Sequence, residues 1–138
     1  MVMRTSTLRG RVLRFHTPAV PPNTLQIFSM RGVEAISRPY QFDLELVSLL
    51  PDLDLDAVLH AAATLAVKQG ISLSDAARRG IRTNVVHGVL SSFEQGERQG
   101  AWTVYRAALV PKLWRLSLVK WSRIFLNKTV PEIVRQIL

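Results

Sequence analysis

Residues 82–110 read RTNVVHGVLSSFEQGERQGAWTVYRAALV: two strand-forming arms around a polar turn that carries glycines. Arg82–Glu94 and Ala101–Val110 are rich in β-branched and aromatic residues, and the EQGERQG between them suits a hairpin. Gly88 stands in the middle of the first arm. A strand that curls round a small barrel needs a bulge or sharp bend, and glycine marks that place. In the second arm both alternating sets carry apolar groups: Trp102, Val104, Ala108 and Val110 on one side, Tyr105, Ala107 and Leu109 on the other. Such a strand is expected to be covered on both faces, by the barrel core on one and by a subunit interface or neighbouring domain on the other.

Outward from the hairpin the pattern stays β-like. Tyr40, Phe42, Leu44 and Leu46 alternate with Gln41, Asp43 and Glu45, which predicts a strand with one buried and one wet face. LQIFSM at 25–30 predicts a short strand entered from the PAVPPN turn, with Arg31–Pro39 as a connection. Pro51 ends the alternating strand, and Asp52 or Asp54 can cap a short helix to about Ala61. Thr64–Lys68 predicts a further strand, and QGISLSDAARRG at 69–80 a polar loop with one helical turn from Ser74.

After Pro111 the period changes. Trp114, Leu118 and Trp121 stand at i, i+4 and i+7, a helix-like stripe, and both tryptophans are expected to be packing residues. Thr129-Val-Pro-Glu132 forms a capping box that opens a helix. Its apolar face, Ile133, Val134, Ile137 and Leu138, runs to the final residue, so the helix is expected to be cut off from a neighbour. The expected fold is mainly β: a small antiparallel β-barrel with one or two short helices and that truncated C-terminal helix. Residues 1–12 are expected to be a flexible leader, 13–112 the barrel, and 113–138 the start of a following domain.

The formal net charge of +8 is unevenly spread: +5 over residues 1–33, −4 over 34–97 and +7 over 98–138. Basic ends around an acidic middle suit nucleic acid, an anionic membrane surface, or acidic surfaces of partner segments. Trp114 and Trp121 lie among Lys112, Arg115, Lys120 and Arg123, a pattern that can form a stacking groove for nucleic acid, but no nucleic-acid-binding motif accompanies it. No apolar run approaches the ~18 residues of a membrane-spanning helix. Cysteine is absent, which excludes disulfides and thiolate metal sites.

No catalytic constellation emerges. His16, His60 and His87 have no ligand spacing, and His87 reads as a hydrogen-bonded strand residue. Asp52, Asp54 and Asp56 imitate half a calcium loop, but Ala57 stands where that loop needs glycine and Ala63 where it needs a bidentate glutamate. Ser117 and Lys120 match S-x-x-K without either companion motif of the serine acylases. Phosphate-loop, dinucleotide, nucleophile-elbow and zinc-helix motifs are absent. No catalytic residue, cofactor, metal or small-molecule substrate is expected.

Four segments carry a family resemblance: Phe15–Ser48, with EAISRPY leading into the alternating strand; Pro51–Leu59; His87–Gly96; and Val104–Leu138. In this order they resemble the N-terminal part of VgrG proteins, the spike and hub components of the bacterial type VI secretion system, which are similar in fold to phage baseplate hubs. The resemblance implies a non-enzymatic structural subunit. It implies a homotrimer in the intact protein, docking on the Hcp-type tube, possible effector cargo, and assembly in the bacterial cytoplasm before secretion. Trp102, Val104, Tyr105, Leu109, Trp114 and Trp121 are the candidate subunit-interface or inter-domain packing residues. A phage tail hub is the alternative within the same class, and a basic nucleic-acid-binding module the alternative outside it.

Overall fold

The computed structural model describes residues 2–3, 12–68, 83–118, 120 and 122–137. Seven strands are present among them: β1 (Val2–Met3), β2 (Val12–His16), β3 (Gln26–Ala35), β4 (Arg38–Ser48), β5 (Ala62–Lys68), β6 (Thr83–Gln99) and β7 (Trp102–Val110). They form one sheet in the order β1-β3-β4-β7-β6-β5-β2, with every neighbouring pair antiparallel. Four strands separate β2 from β3 in that order, yet the two are in contact. The sheet therefore curls round into a half-barrel, the shape a right-handed twist produces when strands tilt toward closure.

The period-2 segment behaves as its pattern requires. Phe42, Leu44 and Leu46 of β4 are buried, while Gln41 and Asp43 face solvent. Across the ladder Phe42 pairs with Leu109, Leu44 with Ala107 and Leu46 with Tyr105, so large and small residues meet on the concave face. The Tyr105 ring stacks on Phe93 at 5.3 Å between centroids and 6° between planes. Leu65, Leu90 and Val58 complete this cluster. Each fully buried leucine contributes about 1.5–3 kcal/mol of transfer free energy.

Val58 comes from α1 (Leu55–Val58), a single turn whose N-cap Asp54 accepts the Ala57 N–H at 3.0 Å. The turn is shorter than the helix expected to reach Ala61. Leu59 is already extended and His60 takes a left-handed φ of 64°. The chain then joins the ladder, with the His60 N–H donating to the Leu90 carbonyl at 2.9 Å. α1 thus packs beside β6, with Leu53, Leu55 and Leu59 against the core.

β6 serves two neighbours. Thr83–Val89 pair with β5, and from Val89 onward the strand pairs with β7. The change of partner falls beside Gly88, where the backbones crowd: a Cβ there would sit 2.2 Å from the Val110 carbonyl oxygen. The bend expected at Gly88 is this crossing point. Ser91 is an extra residue between the Leu90–Leu109 and Ser92–Ala108 pairs, which keeps both Leu90 and Phe93 on the concave face. Gly100, at φ +63°, opens the turn into β7.

Two segments differ from expectation. The connection expected over Arg31–Pro39 is mostly strand, with only Ile36 and Ser37 as the turn and Ser37 at φ 63°. Register shifts between Ile27 and Ser29 and between Val33 and Ala35 break the alternation there, so no period-2 signal survives in the sequence. Within the segment expected to be a leader, Val2 and Met3 pair with Val33 and Gly32, and β2 begins at Val12. The polar loop expected at 69–80 lies outside the described residues.

Beyond β7, residues Lys112–Leu118 form a 3-10 helix in place of the expected α-like stripe. With three residues per turn, positions four apart share no face, so Leu118 does not follow Trp114 and stands 59% exposed. The capped helix appears as α2 (Val130–Ile137).

Gly88→Ala is expected to lower folding stability by about 1–3 kcal/mol, because the clashing atom is backbone and cannot swing aside. Chemical denaturation of the two proteins, compared at equal slope, measures it.

Candidate assembly interface

β7 places the candidate residues on two different surfaces. Tyr105 and Leu109 face inward and are fully buried in the domain's own core. The Tyr105 hydroxyl reaches the Leu50 carbonyl and the Leu53 N–H, each at 3.4 Å, and so holds the corner between β4 and α1 from within. Trp102 and Val104 point the other way. Trp102 is 37% exposed and Val104 half-buried. Further along the same face Ala108 and Val110 are buried outside the main core cluster.

Between Val104 and Ala108 this outer face carries Arg106, and the sheet register surrounds it with charge. Ser29, Glu45, Arg106 and Glu94 form one row across β3, β4, β7 and β6; Arg31, Asp43, Ala108 and Ser92 form the next. The Ser29 hydroxyl donates to the Glu45 carboxylate at 2.6 Å. The rows line a shallow depression of about 450 Å³. Opposite charges facing each other across strands are worth about 0.2–1 kcal/mol per pair. The outer face is therefore apolar at its Trp102 end and charged in its middle. Sequence alone could not show this row, because its members lie on four strands whose pairing and bulges decide who faces whom.

The segment after β7 is rooted on the barrel beside His60. Trp114 is half-buried, with its ring 6.4 Å from the His60 ring at 32°. The Arg115 guanidinium donates to the His60 carbonyl at 2.8 Å. The Ser117 hydroxyl is engaged locally, donating to the Trp114 carbonyl at 2.6 Å. Trp114 thus packs as a root residue and not as a core residue; Trp121 lies outside the described residues. At the far end the Glu132 carboxylate accepts from the Thr129 N–H at 2.7 Å and from its hydroxyl at 2.8 Å. The backbone bond first, and the hydroxyl second, hold the Glu132 carboxyl below the usual carboxylate range.

The histidines stay separate. His87 is exposed on β6 with Nδ1 3.1 Å from the Thr64 hydroxyl, and its carbonyl accepts from the Tyr40 hydroxyl. Burial, then the nearby Glu34 charge, raises the Tyr40 phenol above its ordinary value. Among the described residues no three metal-binding side chains cluster, and no helix is long and apolar enough to cross a membrane.

The sequence and structure comparisons say what this curled antiparallel sheet is similar to. The profile of the family described as phage tail baseplate hub (GPD) matches residues 33–138, and the chain belongs to that family. It is similar to the type VI secretion system spike protein VgrG5 of Pseudomonas aeruginosa, at 45% identity over 82% of this chain and 13% of that protein. The spike protein VgrG1b of the same organism is 36% identical over 92% of this chain and 16% of its own length. The actin cross-linking toxin VgrG1 of Vibrio cholerae is 30% identical over 80% of this chain and 10% of that protein. Among solved structures, the E. coli c3393 protein superposes with a TM-score of 0.68 at 24% identity, covering 90% of this chain and 31% of that one. It is described as a component of the type VI secretion system with structural similarity to the T4 bacteriophage tail proteins gp27 and gp5. The chain spans less than one fifth of the length of the spike proteins it matches.

Two outcomes follow from this geometry. Trp114→Ala should cost about 1–3 kcal/mol, below the 3–5 of a fully buried tryptophan, because the side chain is only partly buried; thermal unfolding reads this. The Glu132 contribution to α2 is present above the ordinary carboxylate pKa and is lost as pH falls through its depressed folded value. Helical signal in far-ultraviolet circular dichroism should therefore fall on acidification, and less so in Glu132→Gln, whose neutral amide does not titrate.

Proposed function

We infer that this chain is a hub segment of a type VI secretion spike and acts as a structural part, not as a catalyst. The observation that carries the reading is the match over most of the chain to several spike proteins, at identities up to 45%, on a half-barrel fold shared with a secretion component. Within the intact protein three copies would close a ring that docks on an Hcp-type tube, with effector cargo carried further along the spike. Trp102 and Val104 supply the apolar outward contact to a neighbouring barrel. Tyr105 and Leu109 hold that strand flat from the core side, and Trp114 fixes the direction in which the chain leaves the barrel. Assembly would take place in the bacterial cytoplasm and be followed by release with the tube.

The family description itself favours a second reading, a phage-type tail hub. Neighbouring genes separate the two, since sheath and unfoldase genes accompany secretion, and capsid and terminase genes accompany a phage.

Deleting the gene for the intact protein should abolish release of the tube protein into the medium, and complementation should restore it. Trp102→Glu in the complementing copy should reduce release by about tenfold or more, as a charge buried in an interface costs at least the 1.4 kcal/mol of one decade. Undiminished release from the deletion strain would overturn the reading.

A further inference from the structure

The outer surface of the sheet handles charge in two different ways. In the middle of β3, β4, β7 and β6 each guanidinium has a carboxylate across the ladder: Arg31 pairs with Asp43, and Arg106 lies between Glu45 and Glu94. On β2, β5 and the first half of β6 the register gives the opposite result. Lys68 lies between Val12 and Thr83, Ala66 between Arg14 and Val85, and Thr64 between His16 and His87. Phe15, Leu65, Val67 and Val86 are the inward set of these strands, so the three rows stand on the outer face. Val12–His16, Ala62–Lys68 and Thr83–Val89 contain no aspartate or glutamate.

Cations therefore gather here without compensation. Arg14, His16 and His87 are exposed and Lys68 is half-buried. Arg14 and Lys68 are diagonal neighbours on adjacent strands, about 7–8 Å apart. Arg14 and His16 stand two residues apart on one strand, a rise of about 7 Å. Among the described residues no carboxylate pairs with Arg14 or Lys68. Like charges set beside each other weaken a sheet, and the rows on β3, β4 and β7 remove that cost where these strands retain it. Between the cations lie the small Ala66, the Thr64 hydroxyl 3.1 Å from His87 Nδ1, and Val85, which is 49% exposed.

We propose that this outer face docks an acidic, extended polypeptide segment of a partner protein, with its carboxylates seated among Arg14, His16 and Lys68. Charge complementarity identifies the occupant. Side chains at alternate positions of an extended chain repeat about every 7 Å, the spacing at which these cations stand. The Thr64 and Thr83 hydroxyls offer hydrogen bonds to the same carboxylates, and Ala66 and Val85 offer an apolar contact between them. A nucleic acid fits less well. Its affinity grows with the number of phosphates neutralised and with rings on which bases stack, and the one aromatic ring of these strands, Phe15, packs inward. The docking face stands on the charge pattern of three strands and is independent of the secretion reading.

The test is titration of the 138-residue chain into a fluorescein-labelled peptide of alternating glutamate and threonine, read by anisotropy. Binding should saturate at low salt and weaken by about tenfold as salt rises from about 0.02 to 0.2 M. Arg14→Gln with Lys68→Gln should weaken it by about tenfold or more. Lys112→Gln with Lys120→Gln lowers the net charge equally and should leave binding within about twofold, because charges beyond a screening length contribute little. Arg14→Lys with Lys68→Arg keeps both charges and should retain binding. Each variant should keep the parent circular dichroism spectrum, since all four side chains lie on the surface.

Absence of saturable peptide binding would overturn the proposal. So would equal losses in the two glutamine variants, which would assign binding to net charge and not to this face. So would a single-stranded oligonucleotide of equal charge that binds more tightly than the peptide and is lost in the Arg14–Lys68 variant, which would give the face to nucleic acid. None of these outcomes touches release of the tube protein, so the secretion reading stands or falls by its own experiment.

Discussion

The close approach of two backbones at Gly88 is the constraint on which the half-barrel depends. β6 must pair with β5 over its first part and with β7 over the rest, and Val89 pairs with both. A strand can do that only if it bends where it changes neighbours, and a bend brings the inner backbone against the Val110 carbonyl. Any side chain at Gly88 would push the strands apart there. The curl of the sheet follows from that bend. The core then reinforces it, because Leu90 and Phe93 on one side of the bend meet Leu109 and Tyr105 on β7.

The division of labour along β7 follows from the same geometry. Its inward residues close the core, whereas its outward residues pass through a charged row before ending at Trp102. Arg106 between Glu45 and Glu94 keeps the middle of the sheet wet. Only the two extremities of the strand are left apolar on their outer side.

Much of this was legible in the amino-acid order, and for identifiable reasons. The alternation from Tyr40 to Leu46 survives because β4 is regular and central, with one face in the core. The Asp54 cap and the Gly88 bend are local requirements that one residue satisfies, so each left a local mark. The hairpin of β6 and β7 showed through its glycine-bearing turn. What was hidden depends on pairing between distant segments. β3 continues through Val33 because β4 and β1 flank it there, while register shifts blur its alternation. The Trp114, Leu118 and Trp121 spacing resembled an α-helical face, but the chain tightens into a 3-10 helix where the rooting contacts to His60 dominate. The split of the candidate residues between core and surface was equally invisible. Tyr105 and Leu109 differ from Trp102 and Val104 by parity alone, and both sets are apolar.

The two-residue strand β1 has a consequence out of proportion to its length. Val2 and Met3 lie far in sequence from their partners, yet they occupy the outer hydrogen-bonding positions of Gly32 and Val33. Bare strand edges invite pairing with any extended polypeptide, and proteins that work at high local concentration must blunt them. At the sheet's other margin β2 swings round to meet β3, so curvature itself does the shielding. The sheet thus guards one margin with β1 and the other with its shape.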